Sequence, residues 1–303
     1  LHKSLQSGSI SEDFILSSLI TSQTITDSDA REHQSIHYAA EYCRFKVLQY
    51  LIADGCKVDS VTKDGNTPLH LLLSSKVNLT KIEQFKNLSK KLLTSNSVRQ
   101  INNEGNSVFH LAMSKGFVGM AQTYVQKGAD VNIHNMKGNT PIHEFMYNND
   151  TNLGDYPHFL QHICPSCNLT QRSSTGDSYL HLAFSKMDTT FMKYLLQKGA
   201  DLNALNNNGI PPFLNLFLQS DPLFINVLND GEINEFMRLL LTRIKRQAIN
   251  IADRHGDTLL HKAARHPSWG IMEIMVSAGS DPEMANNAGN TPLMELILNG
   301  TGD

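Results

Sequence analysis

Apolar residues along this chain fall at helical spacing in short runs, and the runs come in pairs. Ser107 to Lys115 and Val118 to Gln126 form one such pair, joined by a tight polar turn. Each run predicts a two-turn amphipathic helix, and neither helix can bury its apolar face inside its own pair. The pattern therefore predicts paired helices stacked on further pairs, with polar, glycine-containing loops between them. Glu12 to Ile20 is amphipathic too, and Ile25-Thr-Asp-Ser-Asp29 sits where a loop would, so residues 1–31 read as a degenerate leading unit or cap.

The loops share one phrase, fullest in Gly65-Asn-Thr-Pro-Leu-His70 and Gly138-Asn-Thr-Pro-Ile-His143, and closed in six places by His37, His70, His110, His143, His181 and His261. Its glycines stand at 65, 105, 138, 176, 209, 256 and 289, hence 40, 33, 38, 33, 47 and 33 residues apart. A base period of 33 with insertions marks a repeat array, all-α in class. The units run near 32–62, 63–102, 103–135, 136–173, 174–206, 207–253 and 254–286, with an incomplete one at 287–303. One continuous array over 32–303 is expected. Thr-Pro suits a helix entry, since Thr caps the free amides and Pro at the first helical position loses no hydrogen bond. The histidines are expected to bond backbone and threonine groups and to tie neighbouring loops together.

With Gly-x-Thr-Pro-Leu-His opening units and Gly-Ala-Asp-φ-Asn closing them at Gly128 to Asn132 and Gly199 to Asn203, nearly the whole chain resembles the ankyrin repeat family. The resemblance implies a solenoid of helix-turn-helix units with hairpin-like loops and a concave face that binds partners. It implies binding residues around each loop glycine: Lys63, Asp64, Asn66, Asn103, Glu104, Asn106, Met136, Lys137, Asn139, Asp177, Asn207, Asn208, Arg254 and His255. At the ends of the first helices it implies Glu41, Tyr42, Lys115, Tyr147, Asn148, Lys186, Arg265 and His266. The family also includes arrays hydroxylated at loop asparagines, a setting Asn132 and Asn203 fit, although a hydrogen bond holding the loop is the simpler role. Degenerate arrays with uneven insertions resemble effectors that intracellular bacteria deliver into host cells, and also eukaryotic cytosolic adaptors.

Composition narrows the partners. The 26 basic and 29 acidic side chains leave a net charge of -3, which supplies no positive field for nucleic acid. No stretch approaches the roughly 20 apolar residues of a membrane span, and no signal-peptide core opens the chain. Four cysteines suit a reducing compartment, so a cytoplasmic monomer, or one in a host cytosol, is expected. Leu293, Met294, Leu296, Ile297 and Leu298 would lack a covering helix, which raises the expectation of a fragment of something longer.

The insertions fall in alternate units, near Lys76 to Phe85, Asn148 to Pro157 and Gln219 to Gly231, and are placed between the two helices of the unit. Pro222, Leu223, Phe224 and Ile225 in the third are either a contact site or a segment folded over its neighbours. The rarity of large open apolar patches favours the second. Pro211-Pro-Phe-Leu214 replaces Thr-Pro-Leu-His in the sixth unit, so its histidine tie should be lost. His158, His162, Cys164 and Cys167 are zinc-type ligands within ten residues. Structural sites normally show two separated ligand pairs, and Cys167 occupies the slot filled by Cys56, Ala129 and Ala200, so ordinary helix-end residues are the favoured reading. Arg238, Arg243, Lys245 and Arg246 read as a solvated face, and Trp269 as a partner anchor or a cover for the adjacent helix. No phosphate-loop, dinucleotide or zinc-protease motif is present, and no cofactor is expected. The reading is a non-catalytic scaffold that binds a protein partner; the alternative is a substrate-recruiting arm of a longer enzyme or effector.

Overall fold

The computed structural model describes residues 1–7, 10–18, 20, 22–76, 79–148, 167–186, 188–217, 240, 244, 246–265 and 269–299. The second and third insertions lie largely outside the described residues. The chain divides into two compact units, Leu1–Asn168 and Leu169–Asp303, with the boundary inside the fourth expected repeat.

In the first unit, helices Ser35–Glu41 (α1), Pro68–Ser74 (α2), Val108–Ser114 (α3) and Pro141–Asn148 (α4) pack one on the next as the first helices of successive repeats. The expected helix from Ser107 to Lys115 is shorter by one residue at each end because both ends are caps. The Ser107 side chain accepts from the His110 amide, and the Lys115 amide closes on Leu111 and Met113 carbonyls. Thr67 caps α2 in the same way, with Pro68 in the first turn. A capping hydroxyl of this kind stabilises a helix by about 1 kcal/mol.

Second helices Phe45–Ala53, Ile82–Leu92 and Val118–Gln126 turn back against the first. Phe45, Val47, Leu48 and Leu51 are buried on one, and Val118, Met120, Ala121 and Tyr124 on another. Full burial of such apolar side chains contributes roughly 1.5–3 kcal/mol each. The rings of Phe109 and Tyr124 stack at 5.8 Å between the two helices of one repeat, and Phe85 meets Phe117 of the next at 5.1 Å. The first insertion becomes a 3-10 turn at Leu79–Lys81 that leads into Ile82–Leu92 and carries Phe85 into the core. The turn between helices needs a left-handed residue, supplied by Gly116 at φ 72° and, in the first repeat, by Cys43 at φ 52°.

The second unit repeats the plan with first helices Tyr179–Ser185, Leu259–Arg265 and Pro292–Asn299 and second helices Thr189–Gln197 and Trp269–Ser277. Phe191 and Leu195 are buried in its core. Pro212–Phe217 departs: without a capping hydroxyl or histidine at its start, this segment forms a 3-10 helix. Among the described residues no strand forms. Only isolated bridges, Ser28 with Gln34 and Ile101 with Ser107, mark the loop stems.

Candidate binding surface on the loop fingers

Each loop is a finger braced by its own side chains. The Asn102 side-chain oxygen accepts from the Glu104 and Asn106 amides at 3.0 and 2.9 Å. Asn135, Asn206, Asp253 and Asn286 do the same two and four residues on. This side-chain turn satisfies the tip amides and leaves the tip side chains outward. Fingers also hold each other: Lys63 donates to the Arg31 carbonyl, Asn103 to Asp64, Met136 to Glu104, Asn207 to Thr175 and Asn287 to His255, at 2.9–3.1 Å. Gly105 shows how closely they approach, since a Cβ there would sit 2.8 Å from the Met136 nitrogen.

Four of the histidines tie neighbouring fingers as expected, and their hydrogen bonds settle their tautomer. Nδ1 of His70 accepts from the Thr67 amide at 3.3 Å and lies 2.8 Å from its hydroxyl, so Nε2 carries the proton and donates to the Asn106 carbonyl at 3.1 Å. His110 reaches the Asn139 carbonyl, His181 that of Ile210 and His261 that of Asn290 in the same manner. His37 reaches the Ser60 carbonyl at 3.0 Å instead. Burial drives the pKa of His37 and His70 down to about 4, against partial support from the carbonyls.

Of the residues expected to bind, Tyr42, Lys63, Asp64, Asn103, Glu104, Lys115, Met136, Lys137, Tyr147, Asn148, Asn207, Asn208, Arg254 and His255 are exposed. Glu41, Asn66, Asp177, Lys186 and Arg265 are half-buried, and His266 lies outside the described residues. Asn106 and Asn139 are buried struts. The Asn106 side chain accepts from Asn135 and donates to Glu104, and Asn139 donates to Glu144. Arg265 is a brace as well: Nε meets Glu295 at 2.8 Å, and its terminal nitrogens meet both oxygens of Asp257 at 2.6 and 2.9 Å. Asn132 accepts from the Asn168 amide at 2.8 Å, the loop-holding role.

Two buried carboxylates went unread in the sequence. Glu144 accepts from Asn135, Asn139 and Asn148, and Glu295 from Asn286, Asn290 and Asn299. The Arg265 guanidinium holds the Glu295 carboxyl down to about 2 despite burial. The signal was available as Gly-Asn-Thr-Pro-x-x-Glu-x-x-x-Asn, present at 138–148 and again at 289–299.

Of the zinc-type residues, Cys167 is half-buried, while His158, His162 and Cys164 lie outside the described residues. Among the described residues no group of three or more His, Cys, Asp or Glu is placed to hold a metal ion, and no helix is long and apolar enough to cross a membrane. Burial pushes the Cys43 and Cys56 thiols up, away from nucleophilic thiolate character.

A family model for ankyrin repeats, built as three copies, matches residues 36–135 and 109–206. The B-cell lymphoma 3 protein homolog of Mus musculus is 26% identical over 250 residues, covering 80% of this chain and 51% of that protein. Ankyrin repeat domain-containing protein OPG023 of cowpox virus (strain Brighton Red) is 26% identical over 152 residues, covering 37% of this chain and 22% of that protein. The crystal structure of the ankyrin repeat domain of Bcl-3, a member of the IkappaB protein family, aligns at TM-score 0.47 and 19% identity, covering 89% of this chain and 94% of that one. The chain thus spans about half or less of the curated relatives it matches.

Proposed function

The chain belongs to the ankyrin repeat family, and on that premise we propose that it is a non-catalytic scaffold that binds a partner protein through its finger tips and the ends of its first helices. The observation that carries this reading is the division of labour within each finger. Backbone amides and the Asn or Asp side chains are spent on bracing, so the remaining tip side chains are held out on a rigid support. Met136 is 79% exposed at one tip, and Tyr42 and Tyr147 are 42% and 40% exposed at helix ends. Large apolar groups presented this way lose little entropy on binding and serve as anchors. Lys63, Asp64, Asn103, Glu104 and Lys137 are exposed on the fingers of the same unit and add mixed charge and an amide, which favours specificity by hydrogen bonding over long-range steering.

Affinity capture from the native cell with the intact chain, alongside Met136→Ala and Tyr147→Ala, tests the proposal. Each substitution should weaken retention of the captured protein by about tenfold while leaving the thermal transition unchanged. Undiminished capture by both variants would rule this surface out.

A further inference from the structure

Within the unit Leu169–Asp303 the finger series is interrupted between the sixth and seventh repeats. Leu214, buried and without a polar atom, stands where the tying histidine would be. The Asp257 carbonyl, in the place where Ile210 and Asn290 accept from an imidazole, accepts among the described residues only from the Asp253 amide. The Arg254 amide has no partner among the described residues, whereas the matching amides of Asn207 and Asn287 each donate to the preceding finger. Gly209 adds an independent sign: a Cβ there would meet nothing within 4 Å, while one at Gly256 would lie 2.7 Å from the Asn287 nitrogen. The two fingers stand apart, and a pocket of about 470 Å³ opens, lined by Asn208, Ile210, Asp253, Arg254, His255 and Lys262.

Its chemistry is one-sided. Lys262 Nζ lies 2.7 Å from Asp253 Oδ2, with both side chains largely buried, and Asp253 Oδ1 is taken by the His255 and Asp257 amides. The acid is thereby fully engaged, while an ammonium bonded once keeps two further N–H donors. Arg254 Nε donates to His255 Nε2 at 3.1 Å and leaves the two terminal nitrogens of an exposed guanidinium for a ligand. The Asn208 amide is exposed on the facing finger, and Ile210 gives an apolar wall.

We propose that this slot receives a carboxylate side chain from an acidic segment of a partner protein, gripped by the Arg254 fork with Lys262 and Asn208 as further donors and its stem against Ile210. A planar guanidinium matches a carboxylate in two parallel hydrogen bonds. The volume lies in the range that takes a peptide-sized ligand, and the net charge of -3 argues against a nucleic acid as the source of the anion. The inference rests on the reading of the fingers as a partner-binding surface and gives one stretch of that surface its chemistry.

The full chain, nitrogen-15 labelled, is titrated with a capped tetraglutamate peptide, a capped tetraglutamine peptide and inorganic phosphate. Tetraglutamate should produce saturable changes centred on the amides of Asn208, Arg254, His255 and Lys262, and tetraglutamine none. Arg254→Gln should weaken the response about tenfold with an unchanged thermal transition, and Lys90→Gln, at an exposed lysine outside the binding surface, should leave it intact. An equal response to phosphate would reveal a simple anion site and overturn the assignment, as would changes spread evenly over Lys63, Lys115 and Lys137 or absent from the slot. The Met136 and Tyr147 variants lie in the other compact unit, so the wider reading stands or falls separately.

Discussion

Six histidines close one phrase, and the hydrogen bonds of five of them give the scaffold role that the phrase predicts. Nδ1 accepts from a capping amide and Nε2 donates to a carbonyl, so a second proton has nowhere to go without breaking a brace. The pH dependence follows in sign. The unfolded chain takes up protons on its histidines from about pH 6.5 downward, while His37 and His70 in the fold remain neutral until about 4. Stability is therefore full above about pH 6.5 and lost as pH falls toward 4, by on the order of 2 kcal/mol for each of these two residues. Urea unfolding at pH 7.0 and 4.5 should show a lower midpoint in acid, and His70→Gln should lose less between the two conditions than the parent. Equal midpoints for the parent would refute the tautomer assignment.

At the scale of the element, the finger explains why glycine recurs and why its copies are not equivalent. Gly105 adopts φ 73° and Gly209 φ 72°, so an alanine carries the left-handed penalty of about 1–2 kcal/mol at either. At Gly105 the added methyl also collides with the next finger's backbone, and at Gly209 it enters open space. Gly105→Ala should accordingly shift the denaturation midpoint clearly further than Gly209→Ala. Matching losses would mean that the sixth and seventh fingers pack as closely as the third and fourth. The helix entries were readable from Thr-Pro and from Ser at the capping position. The buried Glu144 and Glu295 were not read, because a glutamate in the first turns of a helix looks like an ordinary exposed residue until the amides around it are placed.

Across the whole molecule, hydrogen exchange offers a map of the finger ladder. The amides of Lys63, Asn103, Met136, Asn207 and Asn287 donate across to a neighbouring finger, and that of Arg254 has no such acceptor among the described residues. Arg254 should exchange fastest of this set under native conditions. Protection at Arg254 equal to that at Asn287 would close the gap between its fingers and remove the slot with it.

Periodicity, capping residues and glycine spacing determined by themselves that paired helices stack through braced loops, because these are local rules that every repeat obeys in the same way. The loss of the sixth tie was legible too, in the single exchange of histidine for Leu214. Which polar residues are exposed and which are buried was decided only by the tertiary structure. Asn103 and Asn106 are both amides beside one glycine, yet one is exposed and the other buried, and Arg265 spends its charge on Asp257 and Glu295. That choice depends on the neighbouring repeat, whose carbonyls and carboxylates compete with any partner for the same donors, and no single repeat's sequence contains both sides of that competition.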